Sequence, residues 1–200
     1  ESAASPRGAG AARLVDAAPL ADGDDAPRAA LVLLGFTEGE PETTWLALDI
    51  VRGERAAAAA LAPRDLRAAT FADEPGAALV DVSGDPATWD ALARTILRRR
   101  RRGALAGAFR GVVFAPAPPA AGAERPRRLN EAAWAVGEGL TLRACRRLEP
   151  GPHPAIETPR FLAAHGFHHA AAPLGALLYE PREGEPAVLA VLSAAEPSQG

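Results

Sequence analysis

Apolar runs of strand length recur along the chain, separated by segments rich in charged and turn-forming residues. The run 29-AALVLLGF-36 is continuous, as expected of a strand that is covered on both faces. Similar runs occupy residues 44–51, 77–83, 109–115, 174–180 and 187–193, although a helix beginning at Thr43 or Thr44 would also fit the first of these. No run approaches the roughly 18 apolar residues of a membrane span, so we expect none.

Helices are predicted between these runs. Residues 52–61 are rich in alanine, the strongest helix former. Asp85 is a good N-cap and Pro86 suits the first helical position; the apolar residues after them recur at helical spacing up to Gly103. A longer helix is predicted over 127–148 and a short one over 161–165.

This order of strands and helices predicts an α/β fold. We expect a three-layer sandwich with a mainly parallel sheet and an antiparallel hairpin over 174–193 at its C-terminal edge. Residues 1–28, rich in Ala, Gly, Pro and Asp, predict an irregular N-terminal arm with a short strand over 12–15. Residues 29–195 would then form a single α/β domain.

The basic residues are unusual, because all 22 of them are arginine and none is lysine. Schiff-base chemistry and the lysine of a phosphate-binding P-loop are therefore excluded, and we expect no cofactor. The net charge of −3 gives little support to nucleic-acid binding. The single cysteine excludes an internal disulfide, and with no apparent signal peptide we expect a cytoplasmic protein.

The segment Asp81-Val-Ser-Gly84 follows a predicted strand and precedes a predicted helix. In nucleotide switch proteins a D-x-x-G turn in this position binds Mg²⁺ through water and meets the γ-phosphate with the glycine amide. The alternative is a strand end followed by a helix cap.

A longer stretch around this turn resembles the nucleotide-binding-like region of IcmF-type proteins of type VI secretion. The similarity runs over FADEPGAALVDVSGD, Trp89, the run RRRRR and FRGVVFA, within about residues 29–150. It implies a P-loop-like fold in a bacterial multiprotein assembly. Residues 31–46 would occupy the place of the phosphate loop, with Gly35 and Gly39 as its glycines.

The phosphate loop would be degenerate. Glu38, Glu40 and Glu42 would face the phosphates, Pro41 removes an amide donor, and no lysine follows the glycines. The resemblance therefore implies a nucleotide-free, non-catalytic scaffold domain that binds protein partners, and the chain is more consistent with a non-enzyme than with an enzyme.

Two clusters are further candidate sites. The first is the run Arg98, Arg99, Arg100, Arg101 and Arg102, which is either a solvated helix end or a patch for an acidic partner. The second contains His165, His168 and His169, with Cys145 as a fourth possible metal ligand. A polar cluster without metal is the alternative for the histidines.

Two other functions fit parts of the sequence. The segment 160–180 is similar to the end of GNAT acetyltransferases, which implies a small-molecule acyltransferase using His165, His168 and Glu157. The arginine run alone would suit a nucleic-acid accessory factor, but it lacks interleaved aromatic residues.

Overall fold

The computed structural model describes residues 9–23, 26–61, 68–70, 74, 76–116, 126–130, 132–167 and 171–195. These residues form two sheets and three helices. The first sheet has the strand order β1-β2-β3-β5-β4. Its strands are β1 (Ala9–Pro19), β2 (Arg28–Phe36), β3 (Glu42–Arg52), β4 (Ala68–Thr70) and β5 (Ala77–Asp81).

The second sheet has the order β6-β7-β11-β12-β10-β9-β8. Its strands are β6 (Arg101–Gly103), β7 (Gly107–Val113), β8 (Arg127–Arg128), β9 (Ala133–Ala135), β10 (Leu140–Ala144), β11 (Pro173–Pro181) and β12 (Ala187–Ala194). The helices are α1 (Glu54–Leu61), α2 (Pro86–Leu97) and α3 (Pro154–Ala164). None of the helices in the described ranges is long and apolar enough to cross a membrane.

The predicted three-layer sandwich with a mainly parallel sheet is wrong, because every pair of neighbouring strands in both sheets is antiparallel. A parallel pair requires a long crossover connection, whereas a short turn brings the chain back antiparallel to the strand it has just left. Short turns of this kind join β2 to β3, β6 to β7, β9 to β10 and β11 to β12.

The predicted helix over 127–148 is also wrong, since this segment forms β8, β9 and β10. Along β10, Leu140, Leu142 and Ala144 are buried, and the residues between them are not. This alternation is typical of a strand. Gly137 and Gly139, at φ +67° and +70°, form the turn before it, where a left-handed backbone favours glycine.

Other predicted elements are confirmed. The six apolar runs correspond to β2, β3, β5, β7, β11 and β12, and residues 54–61 of the alanine-rich segment form α1. The Asp85 side chain accepts a hydrogen bond of 2.9 Å from the Ala87 amide at the start of α2, but this helix ends at Leu97, before Gly103. The strand predicted over 12–15 belongs to the longer β1. The division of the chain into an N-terminal arm and one α/β domain stays a prediction.

Helix α2 packs closely against one face of the second sheet, and two glycines make this possible. A Cβ at Gly111 of β7 would overlap the backbone of Thr95 and Ile96. A Cβ at Gly175 of β11 would lie 2.7 Å from Cγ2 of Ile96. On the same side, the rings of Trp89 and Trp134 stack with their centroids 5.4 Å apart. This region joins α2 and both sheets in one core.

Helix α3 covers the opposite face of the second sheet. Its buried Ile156 packs with Ala176 of β11 and with Val188 and Val191 of β12 in a separate apolar cluster. Because Ala176 follows Gly175 directly, its side chain lies on the other face of the sheet from α2. The second sheet therefore has a core face toward α2 and another face toward α3.

The close packing of α2 yields a prediction about stability. We expect Gly111→Ala to lower the free energy of unfolding by about 3 kcal/mol, because the added methyl group meets backbone atoms that cannot move without displacing α2. Gly103→Ala is the matched control, since a Cβ there has no atom within 4 Å, and its effect should stay within about 0.5 kcal/mol. Urea unfolding measures both; equal midpoints would contradict this packing.

A buried carboxylate joins the two sheets. Asp16 of β1 is only 3% exposed and lies beside an irregularity in the pairing of β1 with β2. Its Oδ1 accepts hydrogen bonds from the amides of Ala17 at 3.0 Å and Leu105 at 2.8 Å. Its Oδ2 accepts from the Ala106 amide at 3.1 Å and from the Tyr179 hydroxyl at 2.9 Å. The first sheet is thereby fastened to the β6–β7 turn and to β11.

Removing this carboxylate should destabilise the protein strongly. We expect Asp16→Ala to lower the free energy of unfolding by about 3 kcal/mol or more, because a buried hydroxyl and two loop amides lose their acceptor. Tyr179→Phe removes one bond and should cost about 1 kcal/mol. Glu183→Ala in an exposed turn is the control. An Asp16→Ala variant that unfolds at the control's urea midpoint would show that the junction does not depend on this group.

The same contact predicts a pH dependence. Burial, followed by the hydrogen bond to Asp16, raises the pKa of Tyr179 from 10.0 to about 12. The folded state thus favours the protonated phenol, so this contribution to stability is complete below pH 10 and is lost as the pH rises through about 12. Tyr179 is the single tyrosine of the chain, so phenolate absorbance reports it directly. A midpoint near the ordinary value in the folded protein would contradict the contact.

Candidate pocket on the second sheet

A pocket of about 660 Å³ lies at the β8–β10 end of the second sheet, on the face that α3 covers in part. Ala155 and Pro159 of α3 form one wall, and β8, β9, β10 and β12 contribute most of the remaining lining. Its size falls within the range of small-molecule binding pockets in proteins, about 300–1,000 Å³.

The floor of this pocket consists of two rows of residues that face one another across neighbouring strands. Thr141 of β10 pairs with Ala135 of β9 and with Ser193 of β12. Two residues further along β10, Arg143 pairs with Ala133 and Val191. Directly opposite residues of antiparallel strands project to the same face, so both rows lie beneath the pocket.

The strand alternation leaves this face open. Trp134, Leu142 and Leu192 occupy alternate positions of the same strands and are buried in the core on the α2 side. The residues between them on the pocket side are mostly small, namely Ala133, Ala135, Thr141 and Ser193. Large side chains thus fill one face, and small ones leave a concave surface on the other.

The charge of the pocket is positive. Arg127 of β8 and Arg143 of β10 line it, whereas no aspartate or glutamate occurs in the described lining. Asn130 adds a polar side chain at the rim, where its Oδ1 accepts a hydrogen bond of 3.0 Å from the Ala132 amide. A small apolar floor beside two guanidinium groups suits a ligand with a flat apolar part and an anionic part.

The residues of the predicted phosphate site lie at two separate places in the first sheet. Gly35 and Gly39 lie at the end of β2 and in the turn that follows it, near Glu42. Asp81 pairs with Leu48, which pairs with Arg28 at the opposite end of β2. The six residue steps from Glu42 to Leu48 along β3 separate the two ends by about 20 Å.

The D-x-x-G segment forms a local turn. The Asp81 carboxylate accepts a 2.8 Å hydrogen bond from the Ser83 amide, and Gly84 is exposed just before the helix cap Asp85. The predicted P-loop-like architecture is therefore wrong, because β2 continues through a hairpin turn into β3 where a P-loop would lead into a helix.

Three of the five arginines in the run form ion pairs with carboxylates of the same chain. Arg100 and Arg102 donate hydrogen bonds of 2.7 Å and 2.6 Å to Asp22, which follows β1, and these contacts lower the pKa of that carboxyl group to about 2. Arg101 lies 3.5 Å from Glu180. Arg98 caps α2, and Arg99 has a left-handed backbone with φ of 50°. A partner for this patch stays a prediction.

Two of the four predicted metal ligands, His165 and Cys145, lie in the described part of the chain. His165 ends α3 and donates a 2.8 Å hydrogen bond from Nδ1 to the Phe161 carbonyl oxygen. Cys145 packs in the cluster around Ile156, and burial raises the pKa of its thiol to about 11. His168 and His169 lie outside the described residues. No group of three metal-binding side chains occurs among the residues described.

No family model and no curated protein matches the chain. Several solved structures, however, are similar to the chain in fold. A glucosamine kinase in complex with glucosamine, ADP and inorganic phosphate is 24% identical, with a TM-score of 0.50. Two further crystal forms of glucosamine kinase are 20% and 19% identical, with TM-scores of 0.50 and 0.51.

The chain has the fold of part of a glucosamine kinase. Each match covers 95% of this chain but only 36–37% of the kinase, so the chain spans little more than a third of the kinases' length. The resemblance to IcmF-type proteins stays a prediction, since none of these findings concerns it.

This likeness overturns the predicted function. The expectation of a non-catalytic scaffold domain rested on a degenerate P-loop-like fold, and the observed fold is one found in kinases. The same finding contradicts the acyltransferase alternative, whereas none of these findings concerns nucleic-acid binding. The GNAT-like segment 160–180 contains the last residues of α3 and most of β11, which is an interior strand of the antiparallel second sheet.

Sequence reasoning missed the pocket because it assigned residues 127–148 to a helix. One signal was present. In AWA of β9 and LTLRA of β10, residues of different size alternate with a period of two, which places large residues on one face and small or charged ones on the other.

Proposed function

We propose that this chain is the nucleotide-binding lobe of a kinase-like phosphotransferase, and that the pocket on the second sheet binds the nucleotide. The observation that carries the proposal is the pocket itself. Small residues form its floor, and the charged residues of its described lining are both arginine. The fold of glucosamine kinases, one of them solved with ADP, supports the same conclusion.

The pocket matches the two chemical parts of a nucleotide. A planar base can lie on a floor of alanine side chains, because Ala133 and Ala135 leave room that larger residues would fill. The phosphates carry negative charge that the guanidinium groups of Arg127 and Arg143 can neutralise through paired hydrogen bonds. Helix α3 closes one side of this space.

The proposal assigns binding and orientation of the nucleotide to this chain. Phosphoryl transfer depends largely on positioning and on charge stabilisation, and kinases bind Mg²⁺ through carboxylate and amide side chains. The pocket would supply positioning and positive charge.

A floor-blocking substitution tests the proposal. We expect the wild-type chain to bind ADP in calorimetry, and Ala135→Phe to weaken binding at least about tenfold by filling the floor. Ala87→Phe on α2, at the opposite face of the sheet, is the matched control and should bind as wild type. Saturation at 100 times the dissociation constant should also stabilise the wild-type chain by about 2.7 kcal/mol.

Two results would contradict the proposal. One is absence of binding to ADP and ATP at millimolar concentration by the folded wild-type chain. The other is equal ADP affinity for Ala135→Phe and wild type, which would place the nucleotide elsewhere. Circular dichroism of both variants establishes that a loss of binding is not a loss of fold.

A further inference from the structure

The two arginines of the pocket lie on the same face of the second sheet, on strands separated by one other strand. Arg127 of β8 pairs with Ala135 of β9, which pairs with Thr141 of β10. Arg143 is two residues from Thr141 and therefore projects to the same face. Two strand spacings and two residue steps place the Cα atoms of Arg127 and Arg143 about 12 Å apart.

Both guanidinium groups are available to a ligand. Arg127 and Arg143 are exposed, and neither forms an ion pair with a carboxylate in the described part of the chain. Other arginines of the second sheet differ: Arg102 is bound to Asp22, and Arg110 to Glu180. The charge of the two arginines that line the pocket is thus not neutralised by any of these internal ion pairs.

We propose that Arg127 and Arg143 form a two-point clamp that selects ligands carrying at least two linked phosphate groups. This inference rests on the proposed function of the same pocket. Two extended arginine side chains whose Cα atoms are about 12 Å apart can converge on a diphosphate from opposite sides. A single phosphate meets one guanidinium fully, whereas a diphosphate meets both. Because the chain has no lysine, arginine is the residue that can supply this charge.

The clamp predicts a characteristic dependence on phosphate number. In calorimetric titrations without Mg²⁺, wild type should bind ADP at least about tenfold more tightly than AMP. Arg127→Ala and Arg143→Ala should each weaken ADP binding about tenfold, and the double variant should bind ADP no better than AMP. Arg143→Lys should keep part of the affinity, because it retains the charge but loses the planar fork.

Arg182→Ala, in the exposed turn between β11 and β12, removes the same charge outside the pocket and should leave the ratio of ADP to AMP affinity unchanged. Titration with adenosine, which carries no phosphate, distinguishes a failure of the clamp from a failure of the proposed nucleotide site. Wild type that binds adenosine, AMP and ADP equally well, or arginine variants that keep the wild-type ratio, would overturn the clamp and leave the nucleotide site standing. Failure of the wild-type chain to bind any of these compounds would overturn both.

Discussion

The arrangement of the two sheets depends on one buried carboxylate. Asp16 accepts hydrogen bonds from the β6–β7 turn and from Tyr179 of β11, although it belongs to β1 of the first sheet. Burying a charged group is unfavourable unless its hydrogen bonds are satisfied, and here four donors satisfy it. A displacement of either sheet would leave the carboxylate without these donors, so the contact favours one relative position of the sheets.

Further contacts reinforce this position. The Trp45 amide donates to the Arg146 carbonyl oxygen at 3.0 Å, and the Trp89 indole N–H donates to the Ser83 carbonyl oxygen at 2.8 Å. Trp89 then stacks on Trp134 of β9. The core face of the second sheet is thus fixed by large side chains from both halves of the molecule, and its other face is free to form the pocket.

Much of the local structure follows from the sequence, and the topology does not. The apolar runs locate β2, β3, β5, β7, β11 and β12, and Asp85 with Pro86 locates the start of α2. These signals are local, since they depend on burial and capping within one element. Strand direction depends on which strands become neighbours, and this is not a local property. The alternating order of predicted elements suggests a parallel sheet, whereas neighbouring strands of the chain pair antiparallel.

In the candidate site, too, the residues are visible in the sequence but their arrangement in space is not. Arg98–Arg102 form a contiguous run that the sequence shows directly, whereas Arg127 and Arg143 are separated by 16 positions. What brings the latter pair together is the register of β8, β9 and β10. Likewise Asp16 stood in a segment predicted as an irregular arm, where nothing local indicates that its partners lie 89, 90 and 163 residues away.

A crystal structure of the chain grown with ADP would locate the nucleotide, which we propose binds the second sheet on the face opposite α2. We expect the base above Ala133 and Ala135, with the diphosphate between Arg127 and Arg143. ADP bound at another surface, such as that around Arg98 and Arg99, would refute this site, as would an empty pocket at a saturating ADP concentration.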